Sequence, residues 1–134
     1  MISEDYVSFE TAKLLKEKGF GGECFSMYVT PKPHSGMGNP NEAKIAPHSR
    51  DSHYYEGYEY QCEAPTLQMV MKWLREVHKI FIEIKEYFDI KQYQSFVSKC
   101  GKTTYCEPDW FHPICNSYEE AAEAAIKYCL ENLI

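Results

Sequence analysis

Leu67-Gln68-Met69-Val70-Met71-Lys72-Trp73-Leu74-Arg75-Glu76-Val77-His78-Lys79-Ile80-Phe81-Ile82-Glu83-Ile84-Lys85 changes hydrophobic period partway along. Leu67, Val70, Leu74 and Val77 recur at helical spacing, with Met71 and Trp73 widening the stripe, while Lys72, Arg75 and Glu76 face outward. From Ile80 the period drops to two: Ile80, Ile82 and Ile84 alternate with Phe81, Glu83 and Lys85. A helix opening at Pro65-Thr66 and running to about His78 therefore leads almost directly into a strand. A turn near Asp89 then leads into a second strand over Tyr93 to Lys99, which closes a hairpin. A helix followed by an antiparallel hairpin marks the α+β class.

The rest of the chain extends this pattern. Ser8 suits an N-cap, Glu10 suits the first turn, and Phe9, Ala12 and Leu15 repeat on one face, with Leu14 beside them. That first helix spans Phe9 to Lys18, and Gly19 supplies the left-handed residue that ends it. Cys24 to Thr30 is rich in strand formers and stops at Pro31 and Pro33. Residues 31–52 hold most of the Pro, Gly and Asn and show no period, so a long irregular loop is expected there. His53 to Cys62 resumes as a strand. Tyr54, Glu56, Tyr58, Tyr60 and Cys62 fall on one face, and Tyr55, Gly57, Glu59 and Gln61 on the other. Residues 100–116 read as irregular. Ser117 and Glu120 then form a capping box for a third helix reaching the C-terminus, with Tyr118, Ala122, Ala125, Ile126, Cys129 and Leu133 on its buried face.

The expected order is α-β-β-α-β-β-α: a two-layer sandwich of about four antiparallel strands and three helices, in one domain of 134 residues. The first two helices each lead into a pair of strands, without a residue-level repeat.

Composition sets the class. The chain is 44% apolar and 25% charged, which suits a globular protein. A net charge of −6 with Lys scattered among Glu disfavours nucleic-acid backbones, and the signs are too mixed for a DNA mimic. No apolar run approaches a membrane span, and the acidic Met1-Ile2-Ser3-Glu4-Asp5 does not read as a secretory signal. The expectation is a cytoplasmic protein whose six cysteines are thiols.

Tyr6-Val7-Ser8-Phe9-Glu10-Thr11-Ala12-Lys13-Leu14-Leu15-Lys16-Glu17-Lys18-Gly19-Phe20 is similar to the opening of uncharacterised small proteins of gut anaerobic bacteria and their prophages. Ala64 to Met69 with Met71 to Glu76 resembles their middle helix, and Glu123 to Glu131 their C-terminus. The likeness covers helix-packing segments, roughly a third of the chain. It implies a setting in the bacterial cytoplasm and mobile DNA, and no chemistry.

Candidate sites are few. Cys100, Cys106, His112 and Cys115 offer three thiols and an imidazole for a structural zinc, but a tight Cys-x2-Cys knuckle is missing. The plainer reading is thiols packed as small hydrophobes. His34, His48 and His53 with Asp51 or Glu56 form a second metal candidate, against the commoner solvated loop histidine. Cys24, Cys62 and Cys106 each adjoin a Glu, whose charge raises a thiol pKa and disfavours a nucleophile. Gly101-Lys102-Thr103 resembles the end of a phosphate loop, but Phe96 stands where the first Gly is needed. Glu107 and Asp109 beside Trp110 are too common a grouping to mark a sugar site.

Tyrosine gives the best binding signal: the chain holds 11, and Tyr54, Tyr55, Tyr58 and Tyr60 crowd one strand. Aromatic rims favour protein partners, while cross-strand pairing is the plainer role. These readings favour a non-catalytic protein-interaction module, self-association included, acting through Tyr55 and Tyr58 without a cofactor. The alternative is a small zinc protein or enzyme centred on residues 100–115.

Overall fold

The computed structural model describes residues 4–48, 56–100, 106–108 and 113–134. The fold is α+β, with three helices and antiparallel strands among the described residues. The chain divides into two compact units: residues 6–65, and residues 66–134 with the first five. No helix among the described residues is long and apolar enough to cross a membrane.

In the first unit, helix α1 spans Phe9–Glu17 and buries Thr11, Ala12 and Leu15. The Ser8 hydroxyl accepts from the Thr11 amide at 3.2 Å, which satisfies one of the unpaired first-turn donors. At the other end the amides of Gly19 and Phe20 bond to the carbonyls of Lys16 and Leu15 (3.3 and 2.9 Å). This reciprocal C-cap needs the left-handed backbone that Gly19 adopts at φ 85°.

Strands β1 (Ser26–Pro31), β2 (Lys44–Pro47) and β3 (Tyr58–Glu63) follow. Their order is β2-β1-β3, antiparallel throughout. All six residues of β1 are buried, as befits a strand paired on both sides. Phe9 packs on the Tyr28 ring at 5.2 Å, and the buried Tyr28 hydroxyl donates to the Val7 carbonyl. The expected pairing of the first strand with the Tyr-rich one is present. The expected loop at 31–52 nevertheless contains β2. Its four residues, Lys44-Ile45-Ala46-Pro47, are too few to show a period, and Pro47 can end an edge strand without a missing donor being felt.

The β1–β3 ladder shifts register between Tyr28 and Val29. Tyr28 pairs with Cys62 and Val29 with Tyr60, leaving Gln61 as an extra residue. Its side-chain amide donates to the Thr30 hydroxyl at 2.8 Å. Across this bulge Tyr60 and Cys62 no longer share a face, contrary to the alternation expected from sequence.

In the second unit, helix α2 (Leu67–Val77) buries Leu67, Val70, Met71 and Leu74, and Thr66 caps it by accepting from the Met69 amide. Strands β4 (Ile80–Tyr87) and β5 (Gln92–Cys100) form the expected hairpin, paired without a register break. The far edge of β5 pairs at one end with β6 (Cys106–Pro108) and at the other with β7 (Ile114–Cys115). The sheet is thus three positions wide. Both short strands fall in the segment expected to be irregular. The single sheet of about four strands is replaced by two sheets, one per unit. Their central strands occupy different places in chain order, β1 first and β5 second.

Helix α3 (Tyr118–Asn132) buries Ala121, Ala122, Ala125, Ile126, Cys129 and Leu130. The Ser117 hydroxyl accepts from the Glu120 amide at 3.1 Å, as a capping box requires. The Glu120 carboxylate reaches one residue further back than expected, to the Asn116 amide at 3.2 Å. Lys99 closes the other end by donating to the Leu133 carbonyl at 2.8 Å, and Gln68 on α2 donates to the Tyr118 hydroxyl at 3.1 Å. Ile80 and Val97 are fully buried on the hairpin face that also carries Ser95.

Three outcomes follow from these contacts. Ser117→Ala removes a cap and lowers stability to urea, followed by circular dichroism, by about 1 kcal/mol. Ser95→Ala leaves stability unchanged or raises it, because the Ser95 hydroxyl is buried with no hydrogen-bond partner among the described residues. The third concerns His78, which caps α2 with its ring edge-on to Trp73 at 4.7 Å. Burial, and then the Lys99 charge, hold its imidazole below the ordinary value of 6.5. The folded state therefore favours the neutral ring. The contribution of His78 is fully present above 6.5 and is lost as pH falls through the folded value, so an NMR titration should place the His78 midpoint below 6.5.

Candidate functional site

The bulge at Gln61 decides which aromatic rings reach the surface of the first unit. Tyr58 lies before it and packs on the buried cluster of Met27, Val29 and Ala46, with the Lys44 ammonium 4.4 Å from its ring centre. It is therefore part of the packing, and the exposed role expected for it passes to other residues. Tyr55, its expected companion, lies outside the described residues.

Tyr60 is 52% exposed and Phe25 89% exposed. By the register, Met27 stands opposite both Ala46 and Glu63, and Val29 opposite Tyr60. The His48 amide donates to the Phe25 carbonyl at 2.9 Å, continuing the β1–β2 ladder by one pair. Phe25, His48, Tyr60 and Glu63 therefore share one face of the sheet.

Hydrogen bonds join them. His48 Nε2 lies 3.0 and 2.9 Å from the two carboxylate oxygens of Glu63, and the Tyr60 hydroxyl donates to Glu63 Oε2 at 3.1 Å. One carboxylate thus ties the end of β3 to the end of β2 across β1. The Lys16 ammonium sits 5.6 Å from the centre of the Tyr60 ring and donates to the Gln61 carbonyl at 2.9 Å. A pocket of about 60 Å³ lies beside this group, lined by Ala12, Leu15, Lys16, Phe20, Tyr60 and Glu63. It has room for a few waters. Clefts that enclose small organic ligands start at roughly 300 Å³.

Nucleophilic chemistry is disfavoured here. Burial, and then the Glu63 charge, push the Cys24 thiol up to about 11. Tyr60 is pushed up to about 12 by burial and by its bond to Glu63. Cys62 is also raised, chiefly by burial, although Lys16 and Lys13 pull the other way. These groups keep their protons at neutral pH. The Glu63 carboxylate already accepts from two donors.

The other expected sites fare differently. Cys100 is disulfide-bonded, which corrects the expectation of six thiols. Cys24, Cys62, Cys115 and Cys129 are free, and Cys129 is fully buried on α3. Cys100 stands opposite Cys106 in the β5–β6 ladder, and Cys115 opposite Tyr93 near the start of β5. Tyr93 and Cys100 are separated by about 23 Å of extended strand. Cys100, Cys106 and Cys115 therefore cannot meet at one zinc ion. His112 lies outside the described residues, as do Asp51 and His53. Of the loop histidines, His34 is exposed with φ 64°, and His48 is committed to Glu63. Among the described residues no group of three or more His, Cys, Asp or Glu is placed to hold a metal.

Sequence reasoning missed Phe25 and Tyr60. Phe25 precedes β1, and Tyr60 was grouped on one face with the buried Cys62 by an alternation that the bulge breaks. Phe25 leaves no signal in composition or spacing, whereas Tyr60 belongs to the Tyr-rich strand that the sequence singles out.

The raised thiol is directly testable. Alkylation of Cys24 by iodoacetamide, mapped by mass spectrometry, should be slow at pH 7–8 and climb about tenfold per pH unit towards its value near 11. Glu63→Gln removes the smaller of the two causes, so the profile should move to lower pH yet stay above an ordinary thiol. An unshifted profile would show that Glu63 does not act on Cys24. Comparison of the chain with family models, curated proteins and solved structures finds no match.

Proposed function

We propose that this chain is a non-catalytic protein-interaction module of bacterial or phage origin, acting in the cytoplasm. The observation that carries this reading is the exposed Phe25 and Tyr60 on one sheet face, joined through the His48–Glu63 bond. An aromatic ring held by its own hydrogen-bonded frame loses little freedom on docking, which is why Tyr and other rings dominate binding hot spots. The frame fixes Tyr60, and the neighbouring Lys16 and Glu63 supply a charged rim. The small pocket beside them suits an interface better than enclosure of a metabolite. The acidic balance of the chain favours a protein partner over a nucleic acid. The likeness of the three helices to proteins of gut anaerobes and their prophages supports the setting.

The test is capture of partners from a bacterial lysate with the wild-type chain and with Phe25→Ala, Tyr60→Ala. Truncating two hot-spot rings should weaken a specific partner by about 30-fold or more, with circular dichroism unchanged. Tyr60→Phe keeps the ring and should retain most binding. A partner held equally by the double variant, or no specific partner on folded bait, would refute the reading.

A further inference from the structure

Strand β4 is an open edge of its sheet: among the described residues its one neighbour is β5. It is eight residues long, contains no proline, and pairs with β5 without a bulge. Edges of this kind invite another strand, and natural sheets usually shorten, kink or cover them.

The direction of its free backbone groups follows from one hydrogen bond. The Cys100 amide donates to the Lys79 carbonyl at 2.8 Å, so this pair is of the hydrogen-bonded type. Alternation along the ladder then points the groups of Phe81, Glu83, Lys85 and Tyr87 towards β5. Those of Ile80, Ile82, Ile84 and Glu86 point to the open edge.

We propose that β4 pairs antiparallel with β4 of a second copy of this chain, about a two-fold axis through Ile84. The choice of axis rests on side-chain complementarity. A two-fold normal to the sheet keeps each side chain on its own face, so the axis must pass through a residue. Centred on Ile84, the register sets Glu83 opposite Lys85 of the second copy, and Lys85 opposite its Glu83. It also sets Phe81 opposite Tyr87, twice. All four lie on the face away from the buried Ile80 and Val97, and Phe81, Glu83 and Lys85 are exposed. Ile84 meets its own symmetry mate with both amides facing the seam, and roughly six backbone bonds form in all.

Neighbouring axes fail on charge. Centring on Glu83 opposes two glutamates, centring on Lys85 opposes two lysines, and centring on Glu86 opposes two glutamates again. Centring on Ile82 brings Lys85 level with Lys79. Like charges directly opposite destabilise a cross-strand pair, whereas opposite charges and aromatic pairs stabilise it. Among these axes the Ile84 register avoids like-charge opposition along β4. β4 and the Phe25–Tyr60 face belong to different units, and neither proposal depends on the other.

Sedimentation equilibrium on the full chain tests this with variants at exposed positions. Wild type should dimerise. Glu83→Lys alone and Lys85→Glu alone should each weaken the dimer by at least tenfold, because each places like charges opposite at both symmetric contacts. Mixing the two single variants should restore association as a heterodimer, and the double swap in one chain should restore the homodimer. A wild-type monomer at all concentrations would overturn the proposal. So would single variants that dimerise as wild type does, or variants that stay monomeric when mixed.

Discussion

Each sheet hangs on one strand that has neighbours on both edges. Unpaired amides and carbonyls in an interior are costly, so a fully buried strand must have a neighbour on each edge. In the first unit that strand is β1, and it recruits β2 out of a segment with no sequence period. In the second the central strand is β5, of which only Ser95 and Val97 are buried, and its outer edge is shared at its two ends by β6 and β7. These three short strands exist because the central strands need partners, not because their own residues favour extension. Tertiary demand here overrides weak local preference.

That logic separates what could be read from the sequence from what could not. The helices were legible because caps and period agree: Ser8, Thr66 and Ser117 each accept from the amide three residues on. The β4–β5 hairpin was legible because alternation there runs unbroken. β2 was hidden by its length and β7 by having only two residues. The bulge at Gln61 was hidden for a different reason. A bulge is a property of two paired strands, and a single strand's sequence shows only its own alternation. One extra residue reassigns Tyr60, and with it the candidate surface. The zinc candidate failed on a similar point, since closeness in sequence said nothing about the length of β5 that separates Cys115 from Cys100.

The polar group around Glu63 lacks the titration that a reactive centre needs in its thiol and phenol. A catalytic cluster needs groups that ionise near the working pH. Here burial and a single carboxylate move the neighbouring thiol and phenol upward, away from that range. The same carboxylate fixes the positions of His48 and Tyr60. The exposed rings of this group lie at the end of the sheet where β1 enters from Phe25.

The two units also treat their sheet edges differently. The β2 edge is four residues long and ends in Pro47, while β3 carries a bulge, so neither offers an extended template. Among the described residues only β4 presents a long, regular edge. Its protection is chemical: Glu83 and Lys85 alternate with isoleucines, so an indiscriminate apolar strand laid alongside would strip water from two charges without pairing them. A strand that supplies the opposite charges at the matching spacing avoids this cost, and β4 itself is such a strand when reversed about Ile84. The alternation that guards the edge against aggregation thus specifies the partner and register the edge accepts.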